Sequence, residues 1–232
     1  MTTELFNQSP LSEKGFNLIA IFNLADLDKE ILKRFQKLSP NLKGFKQLLL
    51  LGHGGKRIWQ SLQSAGMDSD NPVDDYSIQS VKTFLNHYYP QLPYQIIYPI
   101  YQGIALQKLG ELAGWHHASP FMVGINKHWG SWFAYRAVVL LDSDFQLNRF
   151  KDLGNPCLTC KSKPCISNCP GKALDSGTFN LSKCSDYRRR QNSFCRYNCL
   201  SRYHCPVAVE HRYSDEQIQY HYSVSMKMIE NM

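Results

Sequence analysis

The feature that most constrains this chain is the placement of its cysteines. All eight lie between Cys157 and Cys205, and the preceding part of the chain contains none. The N-terminus is polar and lacks the layout of a secretory signal, and no apolar run approaches the roughly 20 residues of a membrane span. We therefore expect a cytoplasmic protein without a membrane segment. In that compartment, crowded cysteines indicate metal binding rather than disulfide bonds.

The cysteines fall into two groups, and each group ends in a Cys-Pro pair. The first group is Cys157, Cys160, Cys165 and Cys169-Pro170, and the second is Cys184, Cys195, Cys199 and Cys205-Pro206. The first has the spacing of bacterial ferredoxins, C-x2-C-x2-C-x3-C-P, with two extra residues between its second and third cysteines. In two-cluster ferredoxins, the last cysteine of each run binds the other cluster.

This crossed arrangement predicts two [4Fe-4S] clusters in a ferredoxin-like domain. One cluster would be held by Cys157, Cys160, Cys165 and Cys205, and the other by Cys169, Cys184, Cys195 and Cys199. Two tetrahedral zinc sites are the alternative, because they also use sets of four cysteines. The Cys-Pro endings of both groups favour clusters over zinc.

The net charge bears on the kind of partner. The formal value of +7 suggests a polyanion, but two clusters with their thiolates would lower it to about +3. The sequence therefore argues against a nucleic-acid partner, and we expect Arg188-Arg189-Arg190 to lie on a solvated helix face. The clusters would instead require a low-potential electron donor as partner.

The sequence before the cysteines alternates between strand-like and helix-like segments. Residues 1–150 therefore predict one α/β domain, and residues 151–232 a second, cysteine-rich domain. Buried strands are predicted at Phe16–Phe22, Lys46–Leu51 and Gln95–Tyr98. The second of these should break at Gly52, and Asp26 should cap the helix that follows the first. Phe121–Ile125 and Trp132–Leu141 are predicted to form a hairpin.

The stretch from Leu112 to Cys205 resembles epoxyqueuosine reductase, a cobalamin-dependent iron-sulfur enzyme that acts on tRNA. Ala113-Gly114 followed by Gly130-Ser131-Trp132-Phe133 reproduces that family's AG…GSWF pattern at a similar separation. The eight cysteines can also be paired in order with the family's eight. This resemblance implies two [4Fe-4S] clusters and a bound cobalamin.

Residues 15–142 are also similar to the cobalamin-processing chaperone, which has a G-x-W-F-A-x-R motif. The matching segments are Asn71–Asp74, Tyr94–Pro99 and Gly130–Leu141. The resemblance implies an α+β protein with a nitroreductase-like α/β sandwich, a fold shared with the corrinoid domain of reductive dehalogenases. It also places Gly130, Ser131, Trp132, Phe133 and Arg136 at a cobalamin site. An interior tryptophan and a surface arginine are the alternative for Trp132 and Arg136, which we expect on one face of a strand.

Two departures from epoxyqueuosine reductase affect the expected activity. The position of that family's proton-donating Asp falls at Ile100, and the only carboxylate between Tyr94 and Leu112 is Glu111. Tyr98 or Tyr101 could donate a proton instead, although strand-end packing is the alternative for each. The chain also ends at Met232, which leaves no room for that family's C-terminal helical repeat.

These observations favour an iron-sulfur, corrinoid-binding reductase that passes electrons through two [4Fe-4S] clusters to a bound cobalamin. The reaction would process cobalamin or reduce a small substrate. The alternative is a non-catalytic ferredoxin-like electron-transfer protein or a cobalamin carrier, because the missing Asp would matter to neither. The sequence leaves open whether flavin replaces cobalamin, and whether the protein is a homodimer.

Overall fold

The chain divides into two units that are not contiguous in sequence. The computed structural model describes residues 4–39, 41–148 and 151–231. One unit comprises Met1–Gly114 and Ala134–Asp152, and the other comprises Trp115–Phe133 and Leu153–Met232. The sequence assigned residues 115–133 to the first domain, whereas they belong to the unit that holds the cysteines. The predicted boundary at residue 150 lies outside the described residues.

A four-stranded antiparallel sheet has the order β1-β2-β4-β3. The strands are β1 (Leu18–Asn23), β2 (Gln47–Gly54), β3 (Tyr94–Tyr98) and β4 (Phe133–Leu141). In the antiparallel pairs, Leu18 lies opposite Gly52, and Tyr94 opposite Leu141. Every residue of β2 is buried, which explains its unbroken apolar run, because a strand covered on both faces does not alternate. The three predicted strands are confirmed, but β2 continues through Gly52 to Gly54.

In the described part of the first unit there are five α-helices. They are α1 (Ser9–Glu13), α2 (Lys29–Leu38), α3 (Arg57–Ser64), α4 (Pro72–Tyr88) and α5 (Leu106–Leu112). The predicted cap of α2 is wrong by two residues, because Asp28 rather than Asp26 accepts a hydrogen bond from the Ile31 N–H, at 3.0 Å. Asp26 instead ends a short 3-10 turn that precedes the helix. A cap must directly precede the first helical residue to reach these N–H groups.

The predicted hairpin of Phe121–Ile125 with Trp132–Leu141 is wrong. Ile125 exchanges two backbone hydrogen bonds with His117, and Asn126 pairs with Gly130 in a tight turn. Strand β4 lies between β2 and β3, so neither of its edges is left for a further strand. The apolar character of Trp132–Leu141 identified the strand but not its partner, since pairing is decided by the whole sheet.

Short helices and loops make up the second unit. They are α6 (Pro164–Ser167), α7 (Leu181–Arg189), α8 (Leu200–Tyr203) and α9 (Asp215–Glu230). The last is capped by Ser214, whose hydroxyl accepts a hydrogen bond from the Gln217 N–H at 3.3 Å, and it packs against α7. Within the part of the chain that the structure describes, no helix has the length and apolar character needed to cross a membrane.

Candidate metal centres

The first predicted set of four thiols lies close together in the second unit. Cys165 and Cys205 are buried in one apolar cluster, with Cys157 packed against it. Burial and the charges of neighbouring thiols raise the pKa of Cys157 to about 11; these neighbours are Cys205, Cys165 and Cys160. Cys205 therefore joins the cysteines of the first group although it follows them by forty residues in the chain.

The second set surrounds a cavity of about 280 Å³. All four of its members line the cavity walls, namely Cys169, Cys184, Cys195 and Cys199. Burial, together with the charges of the other thiols, raises the pKa of Cys184 to about 11. Most of the remaining lining is apolar, including Phe121, Leu174 and Met228. Cys169 thus lines the same cavity as three cysteines of the second sequence group.

Local hydrogen bonds hold several of these cysteines in place. Three cysteine N–H groups each donate to the side-chain oxygen of a nearby residue. The pairs are Cys157 with Asn155 (2.9 Å), Cys195 with Ser193 (3.1 Å) and Cys199 with Asn198 (2.7 Å). Because these polar side chains lie one or two residues before each cysteine, the sequence itself orients the backbone on which the thiols are carried.

The donor chemistry of both sets fits an iron-sulfur cluster. All eight cysteines are free thiols, with none joined in a disulfide. Among the described residues, no three His, Cys, Asp or Glu side chains converge as ligands of a single metal ion do. A cubane instead spreads its four thiolates over four iron atoms. Because burial favours the protonated thiols, loading a cluster would release protons from these residues. That the two sets bind [4Fe-4S] clusters stays a prediction.

The expectation that all three consecutive arginines lie on a solvated helix face is wrong for Arg188. Arg189 and Arg190 are exposed, but Arg188 is only 5% exposed. Its guanidinium donates to the carbonyl oxygens of Cys195, Arg196 and Tyr222, and to the Ser225 hydroxyl at 2.9 Å. Three consecutive arginines on a helix point in different directions, and only the packing of α9 decides which one is enclosed.

The Gly130-Ser131-Trp132-Phe133 motif lies inside the second unit. Trp132 is 1% exposed and packs with Tyr213 and Ile218. The Arg202 guanidinium lies 4.4 Å from the centre of the Trp132 ring and donates to the Ser131 carbonyl oxygen at 2.6 Å. Gly130 has a φ of +58°, and a Cβ there would meet the Val207 carbonyl oxygen. These contacts are those of an interior tryptophan, one of the alternatives that the sequence left open.

Arg136 lies in the first unit and is buried, not at the surface. Its guanidinium is 3.9 Å from the Asp74 carboxylate, and its Nε is buried without a hydrogen-bond partner. Burial raises the pKa of Asp74, and the Arg136 charge opposes that rise. Burial also raises the pKa of Tyr98, on which both charges act. Strand β4 begins at Phe133, so Trp132 precedes it and does not share a strand face with Arg136.

Asp74 is the residue that sequence reasoning missed. Its signal was present in Asn71-Pro72-Val73-Asp74, which served only as a family match. Pro72 and Val73 begin α4, so the first turn of that helix places Asp74 within reach of Arg136. Tyr101 and Ile100, at the predicted proton-donor positions, are exposed residues with no role in this group.

Comparison with known proteins supports the fold. Neither a protein-family model nor a curated protein matches the sequence. Epoxyqueuosine reductase from Streptococcus thermophilus matches with a TM-score of 0.52 and 14% identity, over 87% of this chain and 65% of that chain. A reductive dehalogenase whose structure suggests a mechanism for B12-dependent dehalogenation matches with a TM-score of 0.50 and 14% identity. The match covers 93% of this chain and 33% of that chain. The B12-trafficking protein CblC from C. elegans, at 12% identity, covers 96% and 91% with a TM-score of 0.47.

The expected likeness to epoxyqueuosine reductase is confirmed at the level of fold. The chain is a mixed α/β protein with a four-stranded antiparallel sheet and a fold similar to that enzyme. It spans slightly less than two thirds of the length of the epoxyqueuosine reductase from Streptococcus thermophilus.

Proposed function

We propose that this chain is an iron-sulfur, corrinoid-binding reductase. The observation that carries the proposal is the grouping of eight thiols into two sets of four, each set drawing one cysteine from the other sequence group. A nitroreductase-like sandwich would form the first domain and a two-cluster ferredoxin-like domain the second. Clusters of this type supply one-electron transfer at low potential, and they require a low-potential donor as partner.

The protein's own part in cluster binding is to supply buried thiols and to exclude water. The Cys184 set lies around an apolar cavity, and low exposure to solvent is one of the factors that set a cluster's potential. The short spacers of the first cysteine group let one loop present several thiols together. We propose the ligand sets as the sequence predicted them, with Cys169 and Cys205 exchanged between the groups.

The corrinoid assignment is supported by the family resemblance and by the fold likeness to a dehalogenase that depends on B12. Within the first unit, we propose that Arg136 binds an acidic or polar group of the corrinoid. Its Nε is buried without a hydrogen-bond partner and can donate to such a group. The four residues Gly130 to Phe133 are buried, so we expect them to support the fold rather than to contact the corrin.

Asp74 supplies the carboxyl that the segment before α5 lacks. It is half-buried beside Arg136, and desolvation favours its protonated form. A raised pKa is the direction of shift that enzymes give to a carboxyl serving as a general acid. Asp74 is therefore our candidate proton donor, with Tyr98 as its neighbour.

A cobalamin or electron carrier is the second candidate. It is favoured by the absence of an Asp from Tyr94 to Leu112, where the resembled enzyme carries its proton donor. Turnover distinguishes the two, because a carrier binds the corrin without chemical change.

The decisive experiment is an anaerobic titration of the reconstituted protein with hydroxocobalamin, followed by UV–visible absorption, with iron and zinc analysis of the same sample. We expect about eight irons per chain for two cubanes, the broad absorption of such clusters, and a shift of the corrin bands on mixing. Iron with unchanged corrin bands would reject corrinoid binding. Zinc in place of iron would reject the redox function.

A further inference from the structure

The guanidinium of Arg188 carries a buried positive charge without a carboxylate partner. Its hydrogen bonds go to three backbone carbonyls and one hydroxyl, and its face lies 5.3 Å from the centre of the Tyr222 ring. Among the described residues, no Asp or Glu forms an ion pair with it. The nearby carboxylate Asp186 pairs with Arg189 instead, at 3.8 Å.

A buried charge of this kind is unfavourable unless an opposite charge lies near it. Neutral acceptors satisfy the N–H groups, but they do not neutralise the charge, and removing an isolated ion from water is unfavourable. Arg188 lines the cavity that is surrounded by Cys169, Cys184, Cys195 and Cys199. It also donates to the carbonyl oxygen of Cys195 at 3.0 Å. A negative charge bound in that cavity would therefore lie beside the Arg188 guanidinium.

A second buried arginine lies near the same set. Arg202, on α8, is 7% exposed, and the Cys199 thiol acts on its charge. It donates to the Ser131 carbonyl oxygen and is hydrogen-bonded to the Tyr222 side chain, so its hydrogen-bond partners are neutral too. Near the first set, Lys163 is exposed to solvent, where water screens its charge, and the half-buried Arg212 acts on the Cys205 thiol and donates to the Tyr203 carbonyl oxygen.

We propose that Arg188 is the counter-cation of the cluster bound by the second set and raises the reduction potential of that cluster. The inference rests on the proposed function, since it requires a cluster at this site. With four thiolates, an oxidised [4Fe-4S] cluster is doubly negative, and one electron from an external reductant makes it triply negative. A fixed positive charge beside it stabilises the reduced form more than the oxidised form.

The test is a potentiometric titration of the anaerobic, iron-loaded protein with dithionite, followed by EPR of the reduced clusters. Arg188→Gln removes the charge, and Arg190→Gln, two residues away and exposed, is the matched control. Cys184→Ser identifies which EPR signal belongs to the second set. We expect Arg188→Gln to lower the reduced-to-oxidised ratio of that signal by about tenfold at a fixed potential, which is about 59 mV for one electron. The other signal and the control should not move.

A second pair of variants tests the same charge without removing Arg188. Ser225→Asp places a carboxylate where the hydroxyl now accepts from the guanidinium, and Ser225→Asn is its neutral counterpart. Ser225→Asp should shift the second signal in the same direction, and Ser225→Asn should not. This pair decides the question if Arg188→Gln fails to fold.

The outcomes separate the inference from the proposed function. Eight irons with the second signal unchanged in Arg188→Gln and in Ser225→Asp would overturn the inference and leave the clusters in place. Equal shifts in Ser225→Asp and Ser225→Asn would also overturn it, because the effect would then be structural. A wild-type protein that binds no iron would reject the proposed function itself.

Discussion

Replacing Gly130 with alanine tests whether this motif glycine serves packing or a cofactor. Gly130 adopts a φ of +58°, which an L side chain rarely adopts, and its Cβ position is occupied by the Val207 carbonyl oxygen. Val207 follows Cys205-Pro206 directly, so a displaced Val207 would move a thiol of the first set. The variant should therefore lose stability and iron together.

A matched control separates the loss of stability caused by backbone strain from the loss caused by overpacking. Gly177 lies in the same unit with a φ of +80°, and nothing lies within 4 Å of its Cβ position. Gly177→Ala should show only the backbone strain, of about 1 kcal/mol or slightly more. Gly130→Ala carries that strain and an additional overpacking penalty of roughly 1–3 kcal/mol.

The assay is anaerobic urea unfolding of the iron-loaded proteins, combined with the rate at which a chelator removes their iron. We expect Gly130→Ala to unfold at a lower urea concentration than Gly177→Ala and to release iron from the first set faster. Equal midpoints and equal release rates for the two variants would refute the packing argument. A variant of normal stability that had lost only the hydroxocobalamin band shift would support a direct cofactor contact for Gly130.

Three further predictions address the sites. Cys184→Ser and Cys160→Ser should each lose about half of the bound iron, measured by iron analysis; loss from neither variant would reject the ligand sets. Asp74→Asn should reduce turnover by tenfold or more while the corrin band shift persists, in contrast to Asp75→Asn, whose carboxylate is exposed and bonded to Ser69; equal activities would reject Asp74 as proton donor. Because burial raises the pKa of Asp74 above its ordinary value of 3.8, its contribution to stability is present below that value and is lost as pH rises through the raised value. Asp74→Asn should therefore flatten the pH dependence of unfolding in that window, and an unchanged slope would contradict the shift.

Local patterns predicted the elements of the fold better than their partners. The apolar runs identified the three strands β1, β2 and β3. In β1 and β2 nearly every residue is buried, and a run buried on both faces is visible in the sequence itself. The apolar run of the fourth strand was also visible. Its pairing with β3 was missed, because an apolar strand can satisfy its hydrogen bonds with any neighbour that the rest of the sheet leaves available.

In the candidate site, too, local spacing was informative and long-range contacts were not predicted. The spacing of the cysteines and their Cys-Pro endings led to the two ligand sets by analogy with two-cluster ferredoxins, and these sets stay a prediction. The pairing of Arg136 with Asp74 was not predictable, because 62 residues separate them and no pattern links a strand to the first turn of a distant helix. The contact of Trp132 with Arg202 was likewise not predictable, because the two residues lie far apart in the sequence.

The sequence by itself determined that this chain carries two groups of four thiols and an apolar sheet, because both depend on residue type and spacing along the chain. Only the tertiary structure decided which polar groups are buried. Arg188 looks like its exposed neighbours Arg189 and Arg190 until α9 packs over it. Burial is a property of all the elements that meet at a point, and it is burial that converts an ordinary charged side chain into one that acts on a neighbouring site.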